Sequence, residues 1–297
     1  MSIRRVGVLG CGLMGSGIAQ TAAAAGFSTV ARDVSEPLLE KGRAGILKSL
    51  GKLVEKGKLD QKSRDAAIGK LTFTTDPAAL RECDIVIEAV TEDLELKNSL
   101  WRELDRLCPP STIFASNTSS LTIAAMAAAT TRPDRFVGLH FFNPVPLMPL
   151  VEVVRTVTTS RETFDRAYDF ARGLGKEPVT AVDSPGFIVN LLLVPYLLDA
   201  ARALERGVAT TADLDRAMQL GAGHPMGPLT LLDYIGLDTV VRIAEIMFDA
   251  YREPRYAAPP LLQRMVVAGF HGRKNGRGFY DYSVDPPAPT DLGLGKA

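Results

Sequence analysis

Three histidines occur in the 297 residues. One of them, His140, lies in the nearly wholly apolar stretch "GLHFFNPVPLMPLVEVV", residues 138–154. Glu152 stands alone in the apolar run that closes the same stretch. An imidazole titrates near neutral pH, so it can take the hydroxyl proton of an alcohol and return it in the reverse direction. A carboxylate bonded to the other ring nitrogen fixes the tautomer and stabilises the imidazolium. Buried glutamates are rare unless paired, so the two residues account for each other as a base and its orienting acid. Each also has a plain alternative: a satisfied core histidine, and an edge-strand carboxylate facing water.

A second constellation is "VGVLGCGLMGSGIAQ", with Gly10, Gly12 and Gly15 spaced as G-x-G-x-x-G. The loop follows a strand-like run, opens a helix, and is followed by a second strand ending in Asp33. In that context Gly10 permits the tight turn and Gly12 lets backbone approach a pyrophosphate. Gly15 allows close helix packing, and the helix N-terminus offers free N–H groups. Asp33 would accept hydrogen bonds from the adenosine ribose hydroxyls and repel a 2′-phosphate, which favours NAD over NADP. Arg32 beside it pulls the other way. Cys11, within the loop, reads as a small turn-filling residue rather than a redox centre.

The elements that position these residues alternate. "RRVGVLG", "FSTVARD", "CDIVIEAV", "STIFASN" and "DRFVGLHFF" are short apolar runs separated by helical segments, the pattern of βαβ units and a parallel sheet covered on both faces. "SNTSS" (116–120) and "HFFNP" (140–144) follow two of these strands, at the carboxyl ends where open α/β sheets bind ligands. Residues 35–68 are long, helical and lysine-rich, and predict a helical hairpin projecting from the sheet. After "SPGFIVN" (184–190) only helices are expected, over 186–206, 211–221, 227–235, 237–252 and 258–269. The boundaries read as 1–183 for the sheet domain, 184–282 for an all-α domain, and 283–297 for a flexible Pro- and Gly-rich tail.

Lys+Arg and Asp+Glu number 34 each, so no basic surplus points to nucleic acid or an anionic membrane. No apolar run is long enough to span a bilayer, and no signal-peptide pattern opens the chain. Cys11, Cys83 and Cys108 form no metal-type pair, and an odd count argues against a disulfide framework. They read as reduced thiols of a cytoplasmic protein, and no metal site is expected.

Taken together, "GCGLMGSGIAQ", "SNTSSL", "HFFNPVPLMPLVEVV", "SPGFIVN", "GAGHPMGPLTLLDYIGLD" and "GRKNGRGFYDY" resemble the L-3-hydroxyacyl-CoA dehydrogenases, particularly the bacterial 3-hydroxybutyryl-CoA dehydrogenases. The resemblance covers nearly the whole chain. It implies a Rossmann-type NAD domain, a helical substrate and dimerisation domain, an acyl-CoA substrate and a homodimer. It also implies that His140 and Glu152 form the acid–base dyad, with Ser119 and Asn190 holding the reacting oxygen and the thioester. Around NAD it places Leu13, Met14, Glu92, Lys97, Asn117, Ser119, Asn143 and Lys274, and on coenzyme A it places Ser49 and Lys56. Taken alone, Glu92 and Lys97 would pass as a solvated helix face, and Ser119 or its neighbour Ser120 as a helix cap. One departure is Leu191, where related sequences commonly carry arginine. A dehydrogenase of a free 3-hydroxy acid is the neighbouring enzyme alternative, and an NAD-binding structural protein the non-enzyme one. The apolar circumference of "FIVNLLLVPYLLDAARALERG" motivates the dimer, with Leu198 as an interface candidate.

Overall fold

The computed structural model describes residues 3–294 and separates into two compact units that divide after Phe187. The first is built on an eight-stranded sheet. In chain order its elements are β1 (Arg5–Leu9), α1 (Leu13–Ala24), β2 (Ser28–Arg32), α2 (Glu36–Glu55), α3 (Gln61–Gly69), β3 (Leu71–Thr74), β4 (Ile85–Glu88), α4 (Leu94–Leu107), β5 (Ile113–Ser116), α5 (Ile123–Ala127), β6 (Phe136–Phe141), β7 (Leu150–Arg155), α6 (Arg161–Gly173) and β8 (Glu177–Val182). The strand order is β3-β2-β1-β4-β5-β6-β7-β8. All neighbours are parallel except β6 and β7. Alternate residues of the central strands feed two cores: Val6, Val8, Ile85 and Ile87 one, Leu9, Val86, Phe114 and Phe136 the other. The chain leaves β1 in one direction for β2 and returns beyond it at β4, so β1 and β4 flank the topological switch point where such sheets bind ligands.

The 35–68 segment differs from the expected projection. Leu39, Gly42, Ile46 and Leu50 recur at helical spacing and bury one face of α2, and Ala67 buries with them. The hairpin therefore packs on the sheet unit along one face of α2 and through Ala67, and its lysine-bearing side is free of it.

The second unit contains α7 (Val189–Glu205), α8 (Thr211–Ala222), α9 (Pro228–Ile235), α10 (Leu237–Tyr251) and α11 (Pro260–Val267), followed by the short pair β9 (Tyr280–Asp281) and β10 (Ala288–Pro289). Phe187 is buried in a sheet-unit core and adopts a left-handed backbone (φ +46°), which moves the division four residues beyond the expected 183. Leu191 packs against the helical core, which explains an apolar residue at this position. Leu198 is fully buried within that same core, so it is not interface surface in this chain.

The tail is a further correction. β10 pairs with β9, Thr290 N–H donates to Phe279 O at 2.9 Å, and Leu292 and Leu294 pack on the helical core. Two leucines among the prolines and glycines supply the apolar anchors; residues 295–297 lie outside the described residues. The "GRGFYDY" segment is fixed by Asp233, which accepts from the N–H groups of Phe279 and Tyr280, both at 2.9 Å. A Cβ at Gly278 would stand 1.9 Å from Asp233 Oδ1, so only glycine fits there. Burial pushes the Asp233 carboxyl up to about 6.

Candidate cofactor and acid–base site

The glycine loop is built by exclusion of side chains. Gly10 takes φ +97°, and its N–H donates to Arg32 O at 2.8 Å. A Cβ at Gly15 would sit 1.8 Å from Gly10 O, whereas one at Gly12 would meet nothing within 4 Å. Gly12 is thus open on its outer side, and it caps α1 without a side-chain bond. First-turn N–H groups there suit an anion. Leu13 is exposed, and Met14 packs against the core. Asp33 turns toward the loop: Oδ2 accepts from Cys11 N–H at 2.6 Å and Oδ1 from Val34 N–H at 2.7 Å. Arg32 directs its Nε to Thr75 O at 3.3 Å, toward the β3 side. Cys11 is buried, and burial, followed by the nearby Asp33 charge, pushes its thiol up to about 12; it fills the turn rather than reacting. An open turn, an uncapped helix N-terminus and a carboxylate at the end of β2 fit the pyrophosphate and ribose of NAD.

Beside the loop, β4 ends in a buried ionic group. Glu88 is fully buried and accepts from Lys97 Nζ (2.5 Å), Ser116 Oγ (2.6 Å) and Val90 N–H (2.7 Å). Lys97 is only 1% exposed, and its Nζ also lies 3.3 Å from Glu92 Oε2. Lys97 is therefore not on a solvated helix face, and Glu92 precedes the helix. Asp93 caps α4 by accepting from Leu96 N–H at 2.9 Å, which starts the helix in the phase that turns Lys97 inward. Glu92 Oε1 accepts from Thr118 Oγ1, Ser119 N–H (3.1 Å) and Ser120 Oγ (3.0 Å). Burial pushes the Glu92 carboxyl up, but Lys97 and these donors outweigh it and hold it below the usual range. Ser120 is thus engaged with Glu92 rather than capping α5. Asp183 makes that cap, accepting from the N–H groups of Ile123 (2.8 Å) and Ala124 (2.7 Å).

His140 and Glu152 face each other directly across the antiparallel β6–β7 pair. His140 Nδ1 lies 2.5 Å from Glu152 Oε2; the residues are 5% and 0% exposed. The imidazole packs against the rings of Phe142 and Phe187, with centroids 4.4 and 5.6 Å away. Asn117 Oδ1 accepts from Phe141 N–H at 2.9 Å, tying the end of β5 to the residue after His140. Asn143 is exposed two residues further on. The sheet unit therefore brings together the glycine loop, Asp33, Glu92, Lys97, Asn117, Ser119, His140 and Asn143 along the carboxyl ends of β1, β2, β4, β5 and β6, with Glu152 on the facing β7. Ser49 (half-buried) lies on α2, and Lys56 (exposed) is its C-cap. Asn190 and Lys274 belong to the helical unit, where Asn190 is the second residue of α7 and the Lys274 ammonium pairs with Asp238.

Glu88, Ser116, Thr118, Phe187 and Asp183 were not singled out by sequence reasoning. Glu88 carried a readable signal, since it is the lone charge inside "IVIEAV", just as Glu152 is inside "LVEVV". Asp183 and Phe187 carried none, because their roles depend on contacts distant in sequence.

A dinucleotide loop on a doubly wound sheet, a buried imidazole–carboxylate pair and a following helical unit define an NAD-dependent oxidoreductase. The comparisons narrow the class. Residues 5–184 match the family model for the 3-hydroxyacyl-CoA dehydrogenase NAD binding domain, and residues 186–282 match that for its C-terminal domain. The chain belongs to the 3-hydroxyacyl-CoA dehydrogenase family. It is 52% identical over 283 residues to a 3-hydroxybutyryl-CoA dehydrogenase of Mycobacterium tuberculosis, covering 95% of this chain and 99% of that protein. It is 48% identical to the human mitochondrial hydroxyacyl-coenzyme A dehydrogenase, covering 94% of this chain and 91% of that one. Among solved structures, an (S)-3-hydroxybutyryl-CoA dehydrogenase from Ralstonia eutropha superposes with a TM-score of 0.92 at 43% identity, over 95% of this chain and all of that one.

Proposed function

We propose that the chain interconverts (S)-3-hydroxyacyl-CoA, 3-hydroxybutyryl-CoA in particular, with the 3-ketoacyl-CoA, using NAD(H). The observation that carries this reading is the buried His140–Glu152 pair at 2.5 Å. Glu152 accepts from Nδ1–H and so leaves Nε2 as the basic nitrogen. That nitrogen takes the 3-hydroxyl proton in oxidation and returns it in reduction. Glu152 stabilises the imidazolium while it exists. NAD, held on the glycine loop and by Asp33, supplies the hydride acceptor. Ser119 and Asn190 hold the reacting oxygen and the thioester carbonyl and support the charge that develops there. Glu92, Lys97, Asn117, Asn143 and Lys274 complete the cofactor contacts.

Coenzyme A falls to α2. Lys41, Lys48 and Lys52 are exposed and recur within one face of that helix, the exposed Lys56 caps its C-terminal end, and Ser49 lies beside them. A solvated lysine stripe of this kind suits phosphates. It favours an acyl-CoA over a free 3-hydroxy acid, just as the intact dyad favours an enzyme over a structural NAD-binding protein. The protein is proposed to act in the cytoplasm as a homodimer through its helical unit, and among the described residues no helix is long and apolar enough to cross a membrane. Light scattering at micromolar concentration tests the dimer; a monomer mass would refute it.

The decisive assay is NADH oxidation with acetoacetyl-CoA, longer 3-ketoacyl-CoAs and free acetoacetate, repeated with NADPH. Turnover with acetoacetyl-CoA and NADH should exceed every other pairing. Equal rates with free acetoacetate would move the function to the free acid. A preference for NADPH would mean that Arg32 rather than Asp33 decides the ribose pocket.

A further inference from the structure

We propose that the buried Glu88–Lys97–Glu92 group sets the redox preference of the bound dinucleotide, favouring NAD+ over NADH by its net negative charge. Two carboxylates and one ammonium are brought together at the end of β4, and Lys97 neutralises only one of the two. The other donors are neutral: Val90 N–H and Ser116 hydroxyl on Glu88, and Thr118 hydroxyl, Ser119 N–H and Ser120 hydroxyl on Glu92. Neutral donors of this kind do not cancel the charge. The group therefore keeps one uncompensated negative charge in surroundings that screen it poorly, since Glu88 is 0% and Lys97 1% exposed.

Its place in the sheet gives that charge a target. The dinucleotide is anchored at one end by Asp33, just after β2, and by the glycine loop that follows β1. His140 stands on β6, and the strands between are β4 and β5. Adjacent strands are about 4.8 Å apart, so a cofactor running from β1 toward β6 crosses the carboxyl ends of β4 and β5, where the group lies. The contacts are close on both sides. Gly10 packs on Ala89, the residue after Glu88, and Asn117 N–H donates to Glu88 O at 2.8 Å. The oxidised nicotinamide ring carries a positive charge that the reduced ring lacks. A fixed negative charge near it stabilises NAD+ selectively, and by linkage makes bound NADH the stronger hydride donor. Ordinary cofactor contacts act on both redox forms alike, so discrimination is a separate property. It rests on NAD binding, and not on the acid–base reading of His140.

The test is the pair of equilibrium constants, measured without acyl-CoA: NADH by its fluorescence and NAD+ by calorimetry. Glu88→Gln keeps the side-chain shape and an acceptor while removing the charge. It should raise the ratio Kd(NAD+)/Kd(NADH) on the order of tenfold, as expected for a unit charge acting across roughly 10 Å at an effective dielectric constant near 20. The double variant Glu88→Gln/Lys97→Gln leaves Glu92 as the single charge, so its ratio should return toward the parent value even if both affinities weaken. Equal changes in both constants for Glu88→Gln, or a ratio that moves the other way, would overturn the proposal. Should that variant fail to fold, Glu92→Gln removes the same charge from the more exposed partner, and an unchanged ratio there overturns it equally. Binding of neither dinucleotide by the parent protein would defeat the cofactor assignment itself, a result distinct from an unmoved ratio.

Discussion

The two ends of the sheet make their sites by opposite means. At β1 and β2 the site is mostly backbone: Gly10, Gly12 and Gly15 clear space, the start of α1 supplies N–H groups, and one carboxylate, Asp33, turns inward. At β6 and β7 the backbone is ordinary strand, and the chemistry lies in one pair of side chains, His140 and Glu152, opposed across the ladder. The first kind of site tolerates no added atoms at two of its glycines. The second tolerates changes of shape better than changes of proton or charge. A cofactor that must only be held is served by the first kind, and a proton that must move by the second.

Substitutions that respect one site and damage the other sharpen this contrast. The largest effect is expected at Gly15. Its Cβ would meet the Gly10 carbonyl at 1.8 Å, and a backbone oxygen cannot swing aside as a side chain can. Gly15→Ala should abolish detectable NADH binding and lower Tm, while Gly12→Ala, with open space around it, should fold normally and bind NADH more weakly. Equal affinities in the two variants, read by fluorescence titration, would break the comparison.

Next comes His140→Gln. The change should lower kcat by at least about 10²-fold, the lower range for general acid–base catalysis, with NADH affinity nearly unchanged. Glu152→Gln should also be slow, because it removes the charge that stabilises the imidazolium. Stopped-flow binding alongside steady-state rates separates the effects, and near-normal turnover in the His140 variant would remove it from the chemistry.

The smallest effect belongs to neither end. Lys56→Glu at the exposed C-cap of α2 should raise KM for acetoacetyl-CoA a few-fold, about what one exposed ionic contact supplies, and leave KM for NADH alone. The difference should shrink as salt is added. A KM that does not move at low ionic strength would exclude Lys56 from coenzyme A binding.

Much of this was legible from residue order. Short continuous apolar runs marked the strands, glycine spacing marked the loop, and a lone histidine and a lone glutamate in apolar surroundings marked the pair. Helices α7 to α11 followed from apolar periodicity within a few residues at each end. Other features depend on tertiary context. "DLELKNSLWRELDRL" has the charge pattern of a solvated helix, and only its placement over β4 buries Lys97 between two carboxylates. Asp183 reads as a turn residue, yet it caps a helix 60 residues earlier in the chain. Leu198 reads as surplus apolar surface until α9, α10 and α11 are folded around it. The tail reads as frayed because its prolines and glycines outweigh the two leucines that hold it down.

The antiparallel β6–β7 connection has a consequence for how the protein can change over time. His140 and Glu152 lie on one hairpin, residues 136–155, whereas the residues assigned to the dinucleotide in the sheet unit are scattered from Gly10 to Asn143. The acid–base pair is therefore a single inheritable unit. A recombination event, or a deliberate graft of that one segment, would move both partners together with the register that faces them. An insertion beside the exposed Leu147 lengthens the loop without altering the pairing, whereas Asn143 and the buried Val145 hold the rest of the loop to the site and the core. A single-residue insertion inside either strand would turn one partner to the opposite face of the sheet. Sequence drift in this protein should then be tolerated around the exposed Leu147 at the hairpin's tip and refused along its two arms.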